Sequence, residues 1–335
     1  MVETGQRRID RRWLGVLVGG LGWLAATGAG AGEPPQWRRV VSDQTPLALP
    51  TTIEGANAYA GNAAGDLVFA TGGSTATFLR RAAAPATLVR VTQINDPVPG
   101  FPGARADLPG GFGMNNSGVV CFYLEFFFGG ITRRAVLTYD GSAYHTIAYS
   151  GDPAPGGGGA AYGRNLAVSG ITNGGNIVFT APLVASGTAQ TTIYIAAAGG
   201  GTPVRLAGPG DVAPDTGGGT LAGISTATQF NDNDDVLFTA NVIGGSGGAG
   251  LFVASPSGGL RKIVANGDVN PAGGTFSFAA GSFPACKFNQ AGQVAFLTGG
   301  ALYVYTPGSG IAVAVTTSTT VPAPLDGRLF RLLSG

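Results

Sequence analysis

The sequence predicts an all-β fold: a β-propeller of five blades, each built from about four short antiparallel strands. Three observations carry that expectation. A motif of the form Asn-x-x-Gly, followed by a short apolar run closing on Phe, recurs in exact or degenerate form with its phenylalanines at 69, 122, 179, 238 and 296. A second motif keeps the same beat, with aspartates at 43, 96, 152, 211 and 268, each followed closely by Pro. The composition also opposes helices. Lys occurs only at 262 and 287 and Glu only at 3, 33, 54 and 125, whereas helix surfaces are ordinarily filled with those residues.

Along the chain, residues 1–31 read as an export signal. Arg7, Arg8, Arg11 and Arg12 precede an apolar run from Trp13 to Ala26, and Ala29-Gly30-Ala31 supplies a small-x-small cleavage site. The run is short and holds four glycines, Gly15, Gly19, Gly20 and Gly22, which makes it a poor permanent span; an uncleaved anchor is the alternative. Arg11-Arg12-Trp13-Leu14 is a loose match to a twin-arginine signal. Cleavage would remove four of the 19 basic and two of the 18 acidic side chains, turning a net charge of +1 into −1. So neutral a surface gives no footprint for nucleic acid. No later stretch is long and apolar enough for a membrane span.

Residues 32–50 form a lead-in. Trp37-Arg-Arg-Val-Val41 has the pattern of a repeat's last strand, and Ser42-Asp43 is a weak first copy of the aspartate motif. The repeats fill 51–316. In the tail, 317–335, Gly327-Arg-Leu-Phe330 resembles the start of another repeat. Such overhangs suit ring closure by strand exchange, or an incomplete sixth blade. A β-sandwich or an open solenoid of the same repeats is the rival architecture. A monomer is expected.

The last repeat shows the strand pattern most clearly. Thr275-Phe-Ser-Phe-Ala279, Gln293-Val-Ala-Phe-Leu297, Ala301-Leu-Tyr-Val-Tyr305 and Ile311-Ala-Val-Ala-Val315 each alternate as half-buried strands do. Asn289 to Gly292 is the hairpin turn, with Gly at a position that takes positive φ. Asn62, Gly65, Asn115, Gly118, Asn289 and Gly292 are accordingly expected to be structural turn residues. Copies three and four depart from the pattern: Thr172 stands for Asn, and Asp234 for Gly.

Asn289-Gln-Ala-Gly292-Gln-Val-Ala-Phe296 resembles the defining motif of a bacterial tandem-repeat family described by N-x-x-G-x-x-A-F, with a Gly-Asp-x-x-Pro-Gly element between copies. The resemblance covers about residues 37–316. It implies an exported bacterial protein of the choice-of-anchor type, and it carries over no activity and no catalytic residues. No C-terminal anchor is visible, which favours a released or periplasmic protein.

Few residues offer chemistry. Asp96, Asp152, Asp211 and Asp268 would gather on one face of a ring, where they could hold a polar ligand or Ca²⁺. The competing reading is that each caps its own turn. Asn231-Asp-Asn-Asp-Asp235 resembles part of a calcium loop, with Asp232 and Asp234 as oxygen ligands, but it lacks the bidentate Glu and the central Gly. The lone histidine, His145, is too little for a zinc site or a serine triad. Cys121 and Cys286 fall in blades that are not ring neighbours, so they are expected to be free, buried thiols. Phe126, Phe127 and Phe128 are expected to be buried between blades; the alternative is a ring projecting to stack on a sugar or a partner.

The function expected from these residues is binding or scaffolding at the cell surface or in the periplasm, with a glycan or other surface ligand and no cofactor. A carboxylate-dependent glycan hydrolase or lyase is the first alternative. A calcium-stabilised adhesin module is the second.

Overall fold

Each copy of the motif folds one sheet. The computed structural model describes residues 57–71, 76–83, 87–184, 190–225, 228–245, 247–278 and 284–316. The export signal, the lead-in and the tail read from the sequence lie outside the described residues.

Blade 1 is β1 (Asn57–Gly61), β2 (Leu67–Thr71), β3 (Ala76–Arg80) and β4 (Leu88–Gln93). Blade 2 is β5 (Ala106–Met114), β6 (Val120–Phe128), β7 (Ile131–Tyr139) and β8 (Tyr144–Tyr149). Blade 3 is β10 (Ala167–Ile171), β11 (Asn176–Val184), β12 (Gln190–Ala197) and β13 (Val204–Ala207), with β9 (Ala161–Tyr162) beside β11. Blade 4 is β14 (Thr220–Ile224), β16 (Val236–Ile243), β17 (Ala249–Ser255) and β18 (Gly259–Ala265), with β15 (Gln229–Phe230) beside β16. Blade 5 is β19 (Ala285–Phe288), β20 (Val294–Thr298), β21 (Ala301–Thr306) and β22 (Gly310–Thr316). In every blade the strands pair in chain order, all antiparallel. The described residues contain no helix.

The blades stack face to face, which makes the fold a β-propeller. The motif phenylalanine lies on the second strand of its blade, on the face turned to the preceding blade. Phe122 joins Val68, Leu79 and Val91 of blade 1 in one buried cluster. Phe179 meets Val136 and Ile147 of blade 2, Phe238 meets Val178 and Ile193 of blade 3, and Phe296 meets Leu251 and Val264 of blade 4. Burying one such ring contributes about 2–3 kcal/mol, so the repeated Phe is what joins one blade to the next. An aromatic on the third strand stacks on it in four blades: Phe78, Tyr194, Phe252 and Tyr303, at 5.7, 5.4, 5.9 and 5.3 Å. Blade 2 has Leu137 there, and Phe112 stacks on Phe122 instead, at 5.5 Å.

One expected strand is displaced. Of the expected segment, the described residues 275–278 do not form the first strand of blade 5; β19 does. The five-residue β20 turns at Gly299 and Gly300 before it could reach them. Phe276 and Phe278 pair with the linker instead, Phe276 N–H donating to the Asp268 carbonyl (2.8 Å) and Phe278 N–H to Asn266 Oδ1 (3.1 Å). Because the four strands alternate in direction, the Asn turns lie on one rim. The aspartate linkers and the hairpins between second and third strands lie on the opposite rim.

Candidate functional site

On the Asn rim, each turn is built alike. The first residue's side chain accepts the N–H four residues on: Asn62 from Asp66 (2.9 Å), Asn115 from Val119 (3.0 Å), Thr172 from Asn176 (3.1 Å), Asn231 from Asp235 (3.1 Å) and Asn289 from Gln293 (2.9 Å). Gly65, Gly118 and Gly292 have φ of 83, 75 and 74°, as such a turn requires. Asp234 holds the same left-handed conformation, with φ 64°, which Asp tolerates better than most residues.

The turns are also tied to one another. The residue after each turn Asn donates its backbone N–H forward to a side-chain oxygen on the next turn: Ala63 to Asn116 (3.1 Å), Asn116 to Asn173 (2.8 Å), Asn173 to Asp232 (2.7 Å) and Asp232 to Gln290 (2.7 Å). Asn62, Asn115 and Asn231 add a side-chain N–H to the carbonyl of Asn115, Thr172 and Asn289. The sequence reading missed this ladder. Its trace was visible as an oxygen-bearing side chain after the motif Asn in four of five copies.

The candidate calcium ligands belong to the ladder. Asp232 also accepts from Asn173 Nδ2 (2.8 Å). Asp234 accepts from Thr172 Oγ1 (3.2 Å) and Asn176 Nδ2 (2.7 Å). The two departures from the motif, Thr172 and Asp234, therefore bond to each other across adjacent blades. Among the described residues, no group of three His, Cys, Asp or Glu side chains is placed to hold a metal ion.

On the opposite rim, each of the four candidate aspartates is engaged by its own linker. Each carboxylate accepts the N–H three residues before it. Asp96 takes Gln93 (2.8 Å), Asp211 takes Gly208 (2.8 Å), Asp268 takes Ala265 (2.7 Å), and Asp152 takes Tyr149. Their main chains also bracket the next strand: Ala106, Tyr162, Leu221 and Phe276 donate to the carbonyls of Asp96, Asp152, Asp211 and Asp268. Three have a cation six residues earlier. Arg90 lies 3.4 Å from Asp96, Arg205 2.9 Å from Asp211 and Lys262 2.7 Å from Asp268. Asp152 has Thr146 at that place. Burial pushes its carboxyl above the usual range, against the opposing hydrogen bonds from the Tyr149 hydroxyl and N–H and the nearby Arg133 charge.

Blade 2 is much longer than the preceding blade at this same end, and about as long as blade 3, whose second and third strands have nine and eight residues. The second and third strands of blade 2 run to nine residues each, against five in blade 1. The hairpin tip therefore extends past the shorter strands of blade 1, the blade towards which Phe126 packs. Phe126 is buried as expected, but Phe127 is 64% and Phe128 40% exposed, a correction to the expectation of burial between blades. Phe101 packs on Phe126 (4.7 Å), edge-on to Phe128 (5.8 Å) and edge-on to Tyr149 (4.7 Å). An aromatic shelf thus abuts the one linker aspartate without a paired cation at that place. Close by, Arg134 covers the Tyr123 ring at 4.3 Å and pairs with Glu125 at 2.8 Å.

The remaining candidates are structural. His145 Nε2 lies 3.1 Å from Asp140 in an exposed turn. The Asp140 carboxyl is held well below the usual range by the Ala143 N–H, the Ser142 hydroxyl and N–H, and His145. Both cysteines are free. Cys121 is buried at the boundary of blades 2 and 3, its thiol pushed up to about 12 by desolvation. Cys286 is half-buried.

Residues 17–309 match the model of a family of unknown function, DUF7453, and the chain belongs to that family. No curated protein matches it. Among solved structures it is similar to an α-L-arabinofuranosidase of Fusarium graminearum in complex with arabinobiose, at 11% identity over 75% of this chain and 77% of that one, with a TM-score of 0.34. It is similar to a gluconolactonase of Xanthomonas campestris at 15% identity over 77% and 72%, with a TM-score of 0.35. It is similar to the fucose-specific lectin of Aleuria aurantia at 16% identity over 80% and 97%, with a TM-score of 0.25.

Proposed function

We propose that this chain is an exported propeller that binds a glycan or other cell-surface ligand without transforming it, and that the contact surface is the aromatic end of blade 2. The observation that carries the reading is the commitment of all four linker aspartates to their own turns. A glycoside hydrolase needs two carboxyl groups roughly 5–10 Å apart and free to act on substrate. Here the repeated carboxylates hold the linkers, and Glu125 is engaged by Arg134. Exposed rings beside a polar group suit binding instead, because a sugar's apolar face stacks on an aromatic while its hydroxyls bond to nearby polar groups. Phe128, Phe101, Tyr149 and Asp152 supply both parts, and Phe127 adds an exposed ring on the opposite face of the same hairpin tip.

The near-neutral charge is consistent with an uncharged or weakly charged ligand. No helix among the described residues is long and apolar enough to cross a membrane. The test is binding of the intact protein to a printed array of oligosaccharides, repeated with Phe127→Ala and Phe128→Ala. The expected result is retention on some members of the array, lost in the variants with no change in melting temperature. Retention that survives both substitutions, or release of cleaved sugar from the array, would refute the reading.

A further inference from the structure

The boundary between blades 2 and 3 carries polar side chains at positions that are apolar in the other blades. Three hydroxyls of blade 3, on Tyr162, Thr192 and Tyr194, and Nε of Arg205 are buried and find no hydrogen-bond partner among the described residues. Tyr162, Thr192 and Tyr194 are 3, 0 and 0% exposed. A buried polar group without a partner is costly and rare, and one boundary here collects four such atoms.

The four groups share one face of the blade. Tyr162 and Tyr194 belong to the cluster that Val136, Ile147 and Ala148 of blade 2 complete, and their rings meet edge to face at 5.2 Å. Thr192 stands two residues before Tyr194 on β12, hence on the same side. Arg205 lies opposite Tyr194 on β13. A Cβ added at Gly208 would fall 2.9 Å from Thr192 Oγ1 and 2.5 Å from Arg205 Nη2, so the hydroxyl and the guanidinium converge there. Where blade 3 has Thr192 and Tyr194, the other blades have Ala76 and Phe78, Ala135 and Leu137, Gly250 and Phe252, and Ala301 and Tyr303. Only Tyr303 repeats a hydroxyl, and its ring packs on Phe276. Tyr162, whose N–H donates to the Asp152 carbonyl, is matched by Ala106, Leu221 and Phe276 in the other linkers.

We propose that this boundary is an internal water-binding site, in which at least one ordered water molecule bonds to the Tyr162, Thr192 and Tyr194 hydroxyls and to Arg205 Nε. An internal water ordinarily makes about three hydrogen bonds to buried polar groups that lack other partners. The donor set fits it. Hydroxyls both donate and accept, and Nε–H donates, so a molecule that also does both satisfies all of them. Both phenols stay protonated: burial pushes the Tyr194 hydroxyl up to about 12, and burial, then Tyr194 and Asp152, raise that of Tyr162. The charges nearby are matched. Arg205 Nη1 donates to Asp211 at 2.9 Å, and the Arg133 charge acts on Asp152. Surroundings without net charge favour water over an anion. The Tyr162 N–H bond to the Asp152 carbonyl sets this water directly beneath the linker between the two blades.

Oxygen-17 magnetic relaxation dispersion on the full chain, which counts water molecules held longer than molecular tumbling, tests this. The combined variant Tyr162→Phe, Thr192→Val, Tyr194→Phe removes the hydroxyls and keeps the volume. It should hold at least one long-lived water fewer than the parent. Tyr194→Phe alone should lower the melting temperature by about 2–3 °C, because a bonded hydroxyl is lost; removing an orphaned hydroxyl would raise it. Should the combined variant fail to fold, the melting of Tyr194→Phe, which reproduces Phe252 of blade 4, decides alone. An equal count of long-lived waters in parent and combined variant would overturn the proposal. So would a higher melting temperature for Tyr194→Phe. Chloride or phosphate that raises the melting temperature of the parent and not of Tyr194→Phe would assign the site to an anion and would also overturn it.

Discussion

The pairing of Thr172 with Asp234 is a compensation that a double-mutant cycle can measure. Asp234 stands where the other four turns have Gly, at φ 64°, and its carboxylate takes Thr172 Oγ1 at 3.2 Å and Asn176 Nδ2 at 2.7 Å. Asp234→Gly relieves the left-handed strain, about 1 kcal/mol for a residue as tolerant as Asp. It removes two hydrogen bonds to a carboxylate, each worth about 1.5 kcal/mol, and leaves the hydroxyl of fully buried Thr172 without its acceptor. The net expectation is a loss of about 2 kcal/mol, or roughly 4–6 °C in melting temperature for a chain of this size. Adding Thr172→Asn restores the arrangement of the other blades, in which the turn Asn donates Nδ2 to the next turn's carbonyl, as Asn115 does to Thr172 and Asn231 to Asn289. The double variant should therefore recover at least about 1 kcal/mol relative to Asp234→Gly alone. Melting of the two single variants, the double and the parent closes the cycle. A neutral Asp234→Gly, or effects that add to within about 0.4 kcal/mol, would refute the compensation.

Three further outcomes are expected. Gly118→Ala should destabilise more than Gly292→Ala. Both force a side chain to positive φ, at about 1–2 kcal/mol, but a Cβ at 118 would fall 1.7 Å from Arg81 Nη1 and displace the guanidinium that holds Asp66, whereas a Cβ at 292 meets nothing nearer than 3.4 Å; thermal melting compares them. Asp152→Asn should raise the melting temperature at pH 7 and not at pH 3. Burial raises the folded carboxyl's pKa, so its contribution is full below the unfolded value and declines as pH rises through the folded one. Asp268→Asn, which strips Lys262 of its carboxylate at 2.7 Å, should lower it at pH 7 by roughly 2–3 °C; equal responses at the two positions would show that the i−6 cation is irrelevant. Finally, excess chelator should leave the melting temperature unchanged, because Asp232 and Asp234 are held by hydrogen bonds from blade 3; a drop on chelation would restore the calcium reading.

The period, the strand-rich fold, the turn geometry and the number of described blades were legible in the residues alone. These features are local or repeated: a glycine at positive φ, an aspartate capping its own linker and an alternating strand each act within a few residues, and fivefold iteration raises a short signal above chance. Even there, Thr275 to Phe278 were misplaced, because their partner strand ends too soon, which alternation along one strand does not report. What required the folded molecule was everything set by contact between blades. Thr172 and Asp234 look like two unrelated losses until packing puts them 3.2 Å apart. Phe127 and Phe128 look like core until the fold places them at a hairpin tip that outruns the short strands of blade 1. Thr146, where the other three linkers have Arg or Lys, is visible in the sequence, but that this position pairs with the aspartate, and that Asp152 is buried beside Tyr149, only the fold shows. Residues more than 50 positions apart meet through the stacking of sheets, and no window along the chain encodes which of them will touch.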